Sequence, residues 1–216
     1  GALGWMISEE PFMKYLREHK IVDMMKLRAS YGEIGDDNVG DRFLYMTQWA
    51  YGGKTQLGTT SSDKESIYTW YRESAVGNPN VHWEKVKKVN FGIDYGFLGG
   101  LITGAVDFFH DTRSDILVSG SDRSVPSYFG QTAPTANLGK VTTSGYELEV
   151  KFNKVFANKM RLWANFNMTH AVNEVKIKDD AALLPSYRKA AGHAINQTYT
   201  FLDKGILQNY DDIYGS

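Results

Sequence analysis

The sequence predicts an all-β fold: a segment of a large antiparallel transmembrane β-barrel with short periplasmic turns and long extracellular loops. Three observations carry that expectation. Strand-like segments alternate apolar and polar residues, their connections are tight at one end and long and polar at the other, and aromatic residues reach 13% of the chain without any long apolar run.

Taken in order, Gly1 to Ile7 reads as a strand. Ser8-Glu9-Glu10-Pro11 then reads as a helix start, with Ser8 as cap, two acids at the positive end of the dipole and Pro11 in the first turn. Phe12 and Leu16 give this short periplasmic helix an apolar side to pack under the barrel. From Met25 to Gly32, Met25, Leu27, Ala29 and Tyr31 oppose Lys26, Arg28, Ser30 and Gly32. The clearest strand is Lys88 to Phe97, and Leu98-Gly99-Gly100 turns it into Ile102 to Phe109. A second hairpin joins Gly145–Asn153 to Met160–His170 through Ala157-Asn158-Lys159. Because successive side chains point to opposite faces, two sets separate. Val89, Phe91, Ile93, Tyr95, Leu148, Val150 and Phe152 are expected to meet lipid. Asn90, Asp94, Glu147, Glu149 and Lys151 are expected to line the lumen.

Alternation alone also suits a soluble antiparallel sheet, so the connections decide more. The segments 33–80, 113–139 and 171–216 are rich in Gly, Ser, Thr, Asn and Asp, and a compact domain disfavours three loops of that size. Outer-membrane barrels place such loops outside the cell and tight turns in the periplasm. The helix after Ile7 is the one turn-side link that is not tight. About six strands are counted, whereas small closed barrels use about eight and lipid does not tolerate open edges. Further chain is therefore expected to complete the barrel, and since the sequence starts at Gly1 rather than Met, an export signal is expected outside it.

Composition narrows the function classes. Lys and Arg number 24 against 25 Asp and Glu, with no basic stripe, so nucleic acid is not an expected partner. The mean hydropathy of -0.39 and the lack of about 18 consecutive apolar residues exclude helical spans. The 13 Tyr and 5 Trp suit the aromatic girdles of a barrel. Absence of Cys rules out disulfides and thiolate chemistry and is compatible with an exported bacterial protein.

No constellation reads as catalytic, metal-binding or cofactor-binding. Glu147 and Glu149 could stand about 6 to 7 Å apart, near the spacing of an inverting glycosidase pair, but two acids on a wet barrel wall are the plainer account. His19, His82, His110, His170 and His193 lack paired ligand spacing. Asp36-Asp37-Asn38-Val39-Gly40-Asp41 has calcium-loop acidity without the Gly at position six or the distal Glu of an EF-hand. The sequons at Asn167 and Asn196 are chance matches in a bacterial protein.

Several segments together resemble a known family. Gly4-Trp5-Met6-Ile7-Ser8-Glu9-Glu10, Lys26-Leu27-Arg28-Ala29-Ser30-Tyr31-Gly32, and Gly77-Asn78-Pro79-Asn80-Val81-His82-Trp83-Glu84-Lys85 look like the C-terminal part of the barrel of the SusC/RagA family of TonB-linked outer-membrane proteins. The likeness continues through Asn90-Phe91-Gly92-Ile93-Asp94-Tyr95-Gly96, Val106-Asp107-Phe108-Phe109, Ser114-Asp115-Ile116-Leu117, Pro126-Ser127-Tyr128-Phe129-Gly130, Asn137-Leu138-Gly139-Lys140-Val141 and Gly145-Tyr146-Glu147-Leu148-Glu149. The resemblance implies that residues 1–216 are part of a 22-stranded barrel domain, without the plug domain and the last strands. It further implies active import of a bulky nutrient, usually an oligosaccharide and sometimes a peptide, across the outer membrane of a Gram-negative bacterium. The implied partners are a SusD-like surface lipoprotein as lid, outer-membrane lipid, and the TonB complex through the missing N-terminal part.

For such a cargo, loop aromatics give flat apolar platforms. Trp49, Tyr51, Trp70, Tyr71, Tyr128 and Phe129 are the expected substrate-binding residues, with Tyr128 and Phe129 bracketed by Pro126 and Gly130. Trp83 fits the interfacial girdle better. The competing readings are a secreted all-β carbohydrate-binding module and a β-sandwich glycosidase, which detergent dependence would separate from a barrel.

Overall fold

The computed structural model describes residues 1–37, 40–55, 68–201 and 205. Six strands form one antiparallel sheet: β1 (Ala2–Met6), β2 (Val22–Asp36), β5 (Glu84–Phe97), β6 (Ile102–Val118), β7 (Ala136–Val155) and β8 (Arg161–Ile177), side by side in that order. A separate hairpin, β3 (Gln48–Thr55) with β4 (Tyr68–Ala75), lies inside the β2–β5 connection. Every neighbouring pair in the large sheet is consecutive except β2 and β5, where the hairpin intervenes. The connectivity is an up-and-down meander.

β2, β5, β6, β7 and β8 run for 15, 14, 17, 20 and 17 residues. A tilted strand crosses a bilayer in about 9–11 residues, so these strands continue beyond the membrane on the loop side. The connections are correspondingly shorter than the sequence suggested. The expected loop 33–80 contains the end of β2 and all of β3–β4, the loop 113–139 gives residues to β6 and β7, and β8 runs on to Ile177. Val and Thr in these extensions favour extended backbone despite polar neighbours.

The tight links fall at one end, as expected. Phe97 pairs with Ile102 across a turn in which Leu98, Gly99 and Gly100 all hold positive φ, at 57°, 69° and 77°. Two glycines make that left-handed run inexpensive. In the other turn the Phe156 N–H donates to the Met160 carbonyl, and Lys159 takes the left-handed position with φ 63°. The β1–β2 link winds through 3-10 turns at Ile7–Glu9 and Pro11–Met13 into a short helix α1 (Lys14–Glu18). Here the expectation for Ser8 fails. Ser8 lies within the first turn, 2% exposed, and neither it nor the actual cap residues make a side-chain capping bond. Ser8 is instead buried in the 3-10 turn that follows β1 and lies near β2, before the helix begins. Pro11 does open its turn as expected.

Register turns the alternation into two chemically distinct faces. Trp5, Leu27, Ile93, Val106, Leu148 and Met168 form one unbroken row across all six strands. The next row on that face toward the loops is Leu3, Ala29, Phe91, Phe108, Tyr146 and His170. On the other face, Gly4, Arg28, Gly92, Asp107, Glu147 and Thr169 share a row. Along β5 the apolar face holds from Phe97 to Val89 and gives way to Lys87 and Lys85. Eight steps of about 3.3 Å, tilted about 40°, give a band roughly 20 Å high, close to the ~25 Å apolar belt of outer-membrane barrels. Large rings cover glycines on directly opposed strands: Tyr95 lies over Gly104 and Phe109 over Gly145. Such pairs fill the gap a glycine leaves and fix the register.

The buried apolar side chains are Val22, Val118, Ala133 and Val175, which lie at strand ends and in loops. Mid-sheet residues such as Phe91, Phe108 and Phe166 stay between 42% and 55% exposed. A β-sandwich would bury them under a second sheet about 10 Å away. Among the described residues no second layer covers this sheet, an arrangement consistent with the wall of a barrel.

Candidate functional site: the ionic wall and the loop surface

The polar face carries two arginine-centred clusters. In the first, Arg28 Nε donates to Asp94 Oδ2 at 2.9 Å, and Arg28 Nη2 donates to Asp94 Oδ1 and Asp107 Oδ2, both at 2.9 Å. One guanidinium thus ties β2, β5 and β6. Gly92 makes room for it, since a Cβ there would stand 2.7 Å from Arg28 Nη2 and 2.5 Å from Asp107 Oδ1. In the second cluster, Arg113 donates to Glu84 Oε2 and to Asp36 Oδ2, each at 2.7 Å. Glu84 is 8% exposed and its second oxygen accepts the Leu117 N–H, which anchors β6 just past an irregularity between Arg113 and Ile116. These clusters lie about 27 Å apart along β2, one mid-wall and one at the loop end.

Glu149 pairs with Lys151 Nζ at 2.7 Å on this open wall. Its neighbour Glu147 shares a row with Asp107 and Thr169 on the same face. Asp36, the start of the acidic run, meets Arg113; Asn38 and Val39 lie outside the described residues. No three His, Asp or Glu side chains converge on a metal-sized site among the described residues.

At the loop end, two asparagines stitch the connections together. Asn78 Nδ2 donates to the Thr135 carbonyl at 2.9 Å, and its own N–H donates to the Leu44 carbonyl. Asn137 Oδ1 accepts the His82 N–H, while its Nδ2 donates to the carbonyls of His82 and Asp115. Asp115 sits in the left-handed region at φ 58° inside the β6 irregularity. Gly77 passes so close to Met46 that a Cβ would stand 2.4 Å from its carbonyl carbon, and no larger residue fits there. Next to β8, the segment after it folds back: Gly192 N–H donates to the Val175 carbonyl and Val175 N–H to that of His193. A cavity of about 420 Å³ lies between this segment and the ends of β6 and β7.

The structure divides the expected aromatic residues into three groups. Trp49, Tyr51 and Tyr71 share one face of the β3–β4 hairpin, with Tyr51 and Tyr71 directly opposite and edge to face, ring centres 5.9 Å apart. Trp70 belongs to the other face and lies against Gly52. Tyr128 and Phe129 occupy a 3-10 turn that Gly130 ends at φ 76°, and Tyr128 is 90% exposed. Between the two loops, a cleft of about 360 Å³ runs from Arg72–Ala75 to Gly130–Thr132. Sequence reasoning missed the polar members of this arrangement, Arg72, Glu73, Asn78 and Asn137, and the hubs Arg28 and Arg113. The alternation placed Arg28 on the polar face and Arg113 fell in an expected loop, and their partners come from strands 29 to 79 residues away.

An antiparallel wall with one apolar and one ionic side, tight turns at one end and folded loops at the other, is the wall of an outer-membrane β-barrel. The model of the family described as TonB dependent receptor-like, beta-barrel matches residues 15–210, and the chain belongs to that family. It is 29% identical over 174 residues to the TonB-dependent receptor SusC of Bacteroides thetaiotaomicron, covering 81% of this chain and 16% of SusC. It is 26% identical to the TonB-dependent receptor P39 of Formosa agariphila, over 97% of this chain and 19% of P39. Among solved structures, the RagAB peptide importer in its closed-closed state matches with a TM-score of 0.65 and 21% identity, over 86% of this chain and 19% of the matched one. The chain thus spans less than a fifth of the length of the relatives it matches. These similarities place it on the SusC/RagA side of the family and in the outer membrane of Gram-negative bacteria.

Proposed function

We propose that this segment is the late part of the barrel of a TonB-dependent importer of a bulky nutrient. Its ionic face lines the lumen, and its loops meet cargo and a SusD-like lipoprotein lid. The observation that supports this most is the six-stranded wall whose apolar face no layer covers among the described residues. The two open edges, β1 and β8, would be joined by further strands of a barrel, as lipid requires, and the plug and TonB contact would come from other parts of the protein. The mechanism is binding and gated passage, without bond chemistry.

Exposed rings admit two cargo classes: an oligosaccharide, whose flat apolar faces stack on them, and a peptide with apolar side chains. The rings that carry the proposal are Trp49, Tyr51 and Tyr71 on one hairpin face and Tyr128 and Phe129 on the neighbouring turn. Trp70 supports the hairpin from behind. In the complete transporter, replacing Trp49, Tyr51 and Tyr71 together by Ala lowers cargo affinity at least tenfold, about 1.4 kcal/mol, with the barrel still folded. Uptake and binding by cells carrying the variant check this, and unchanged affinity would remove the hairpin face from the binding site.

A further inference from the structure

The loop ends of β6, β7 and β8 form an apolar floor. Ile116 and Val118 on β6, Val141 on β7 and Val175 on β8 line the cavity of about 420 Å³, and Val118 and Val175 are buried. The facing wall is the segment that follows β8, where Ile195 and Tyr199 line the same cavity yet stay 48% and 56% exposed. That wall is pinned. Asn173 Oδ1 accepts the Ile195 N–H at 2.7 Å, and the Asp180 carboxylate accepts the N–H groups of Ala190 and Ala191 at 3.2 and 2.9 Å. Together with the backbone bonds of Val175 to Gly192 and His193, these bonds keep the wall from collapsing onto the floor. Exposed apolar surface that its own fold holds open marks a place for a guest.

Charge narrows the guest. Lys140 and Lys178 both line the cavity, and neither forms an ion pair among the described residues. The neighbouring acids are engaged elsewhere: Asp179 accepts Arg123 Nε at 3.3 Å and the Ser124 N–H, Asp180 holds the two alanine amides, and Glu174 pairs with Lys176 at 2.6 Å. Asp122, which also lines the cavity, accepts the Ser119 hydroxyl at 2.8 Å. An apolar cavity of about 150 Å³ takes benzene, so this one has room for a chain of about eight to twelve carbons. A polyol would leave hydroxyls unpaired against valine and isoleucine. An amphiphile with an anionic head satisfies both the apolar lining and the two ammonium groups.

We propose that this cavity binds a medium-chain carboxylate, its alkyl chain on Val141, Val175, Ile116 and Ile195 and its head at Lys140 and Lys178. The site shares no residue with the aromatic hairpin, and it does not depend on what the transporter carries. A bound chain joins the ends of three strands to the segment after β8, so it stabilises this end of the wall by mass action.

The test titrates octanoate into the full-length receptor in lipid nanodiscs by calorimetry, with empty nanodiscs giving the background of partition into lipid. Octanol keeps the chain without the charge, and octyltrimethylammonium reverses the charge. Octanoate is expected to saturate one site above background, octanol to bind at least tenfold more weakly, and octyltrimethylammonium to show background only. Lys140→Gln with Lys178→Gln weakens octanoate at least tenfold and leaves octanol unchanged. Ala194→Trp, on the wall of the cavity, fills it and removes octanoate binding while heat-modifiable gel migration shows an intact barrel. Octanoate binding no greater than the background, as when further strands of the complete protein close the cavity, overturns the inference. Equal binding of octyltrimethylammonium, or unchanged octanoate affinity in either folded variant, overturns it as well. None of these results touches the transporter reading, which cargo accumulation independent of the proton-motive force would overturn instead.

Discussion

Arginine at Ile93 destabilises the full-length receptor in a bilayer by about 2–4 kcal/mol, the cost of a cation on the lipid face near the midplane. Ile93 occupies the central row of the apolar band, flanked by Leu27 on β2 and Val106 on β6. Two apolar rows lie on either side along β5, Tyr95 and Phe97 toward the turns and Phe91 and Val89 toward the loops. The guanidinium therefore cannot reach either interface without distorting the wall. Asn90→Arg, three residues away on the other face, costs less than about 1 kcal/mol, because that side is wet. Urea titration of both variants in lipid vesicles gives the comparison. Equal costs at the two positions would mean that the faces are misassigned.

Replacing Arg28 by Met costs about 1–3 kcal/mol. The variant removes three hydrogen bonds made by one planar guanidinium, and it leaves the carboxylates of Asp94 and Asp107 on adjacent strands without their shared cation. The three side chains are 35%, 25% and 19% exposed, so water screens part of the loss and the effect falls below the 3–5 kcal/mol typical of a fully buried pair. Adding Asp94→Asn and Asp107→Asn regains most of the stability, because the damage comes from unpaired charge. Thermal unfolding of the single and triple variants, followed by circular dichroism in detergent, measures it. A triple variant no better than Arg28→Met would assign the loss to packing of the arginine stem.

The strands were legible because period-two patterning is local. Val89, Phe91, Ile93, Tyr95 and Phe97 mark their face in sequence, and the turn chemistry of Gly99 and Gly100 places the next strand. Strand ends were not legible, since residues such as Glu84, Arg113 and Asn137 become extended through cross-strand bonds to partners tens of residues away. The β3–β4 hairpin was hidden for a related reason. Gly52 and Gly53 break the alternation of Trp49 and Tyr51, and the bulge that absorbs Gly52 is visible only once Trp70 covers it. Ser8 had the local marks of a cap, but its burial inside the turn that follows β1 overrode them. The loop aromatics were identifiable as a group, whereas their division between two hairpin faces depends on a register that the bulges shift.

The most direct measurement of the lipid-facing wall is a nitroxide scan along β5 in the full-length receptor, in liposomes. Cys is absent from the segment, so single Cys substitutions from 89 to 97 can each be labelled cleanly in an otherwise Cys-free receptor. The account predicts a strict alternation: labels at 89, 91, 93, 95 and 97 are relaxed by oxygen, which concentrates in lipid, and labels at 90, 92, 94 and 96 by a water-soluble nickel chelate. Labels at 91 and 93 shielded from both reagents would place this face in a closed protein core and contradict the barrel wall.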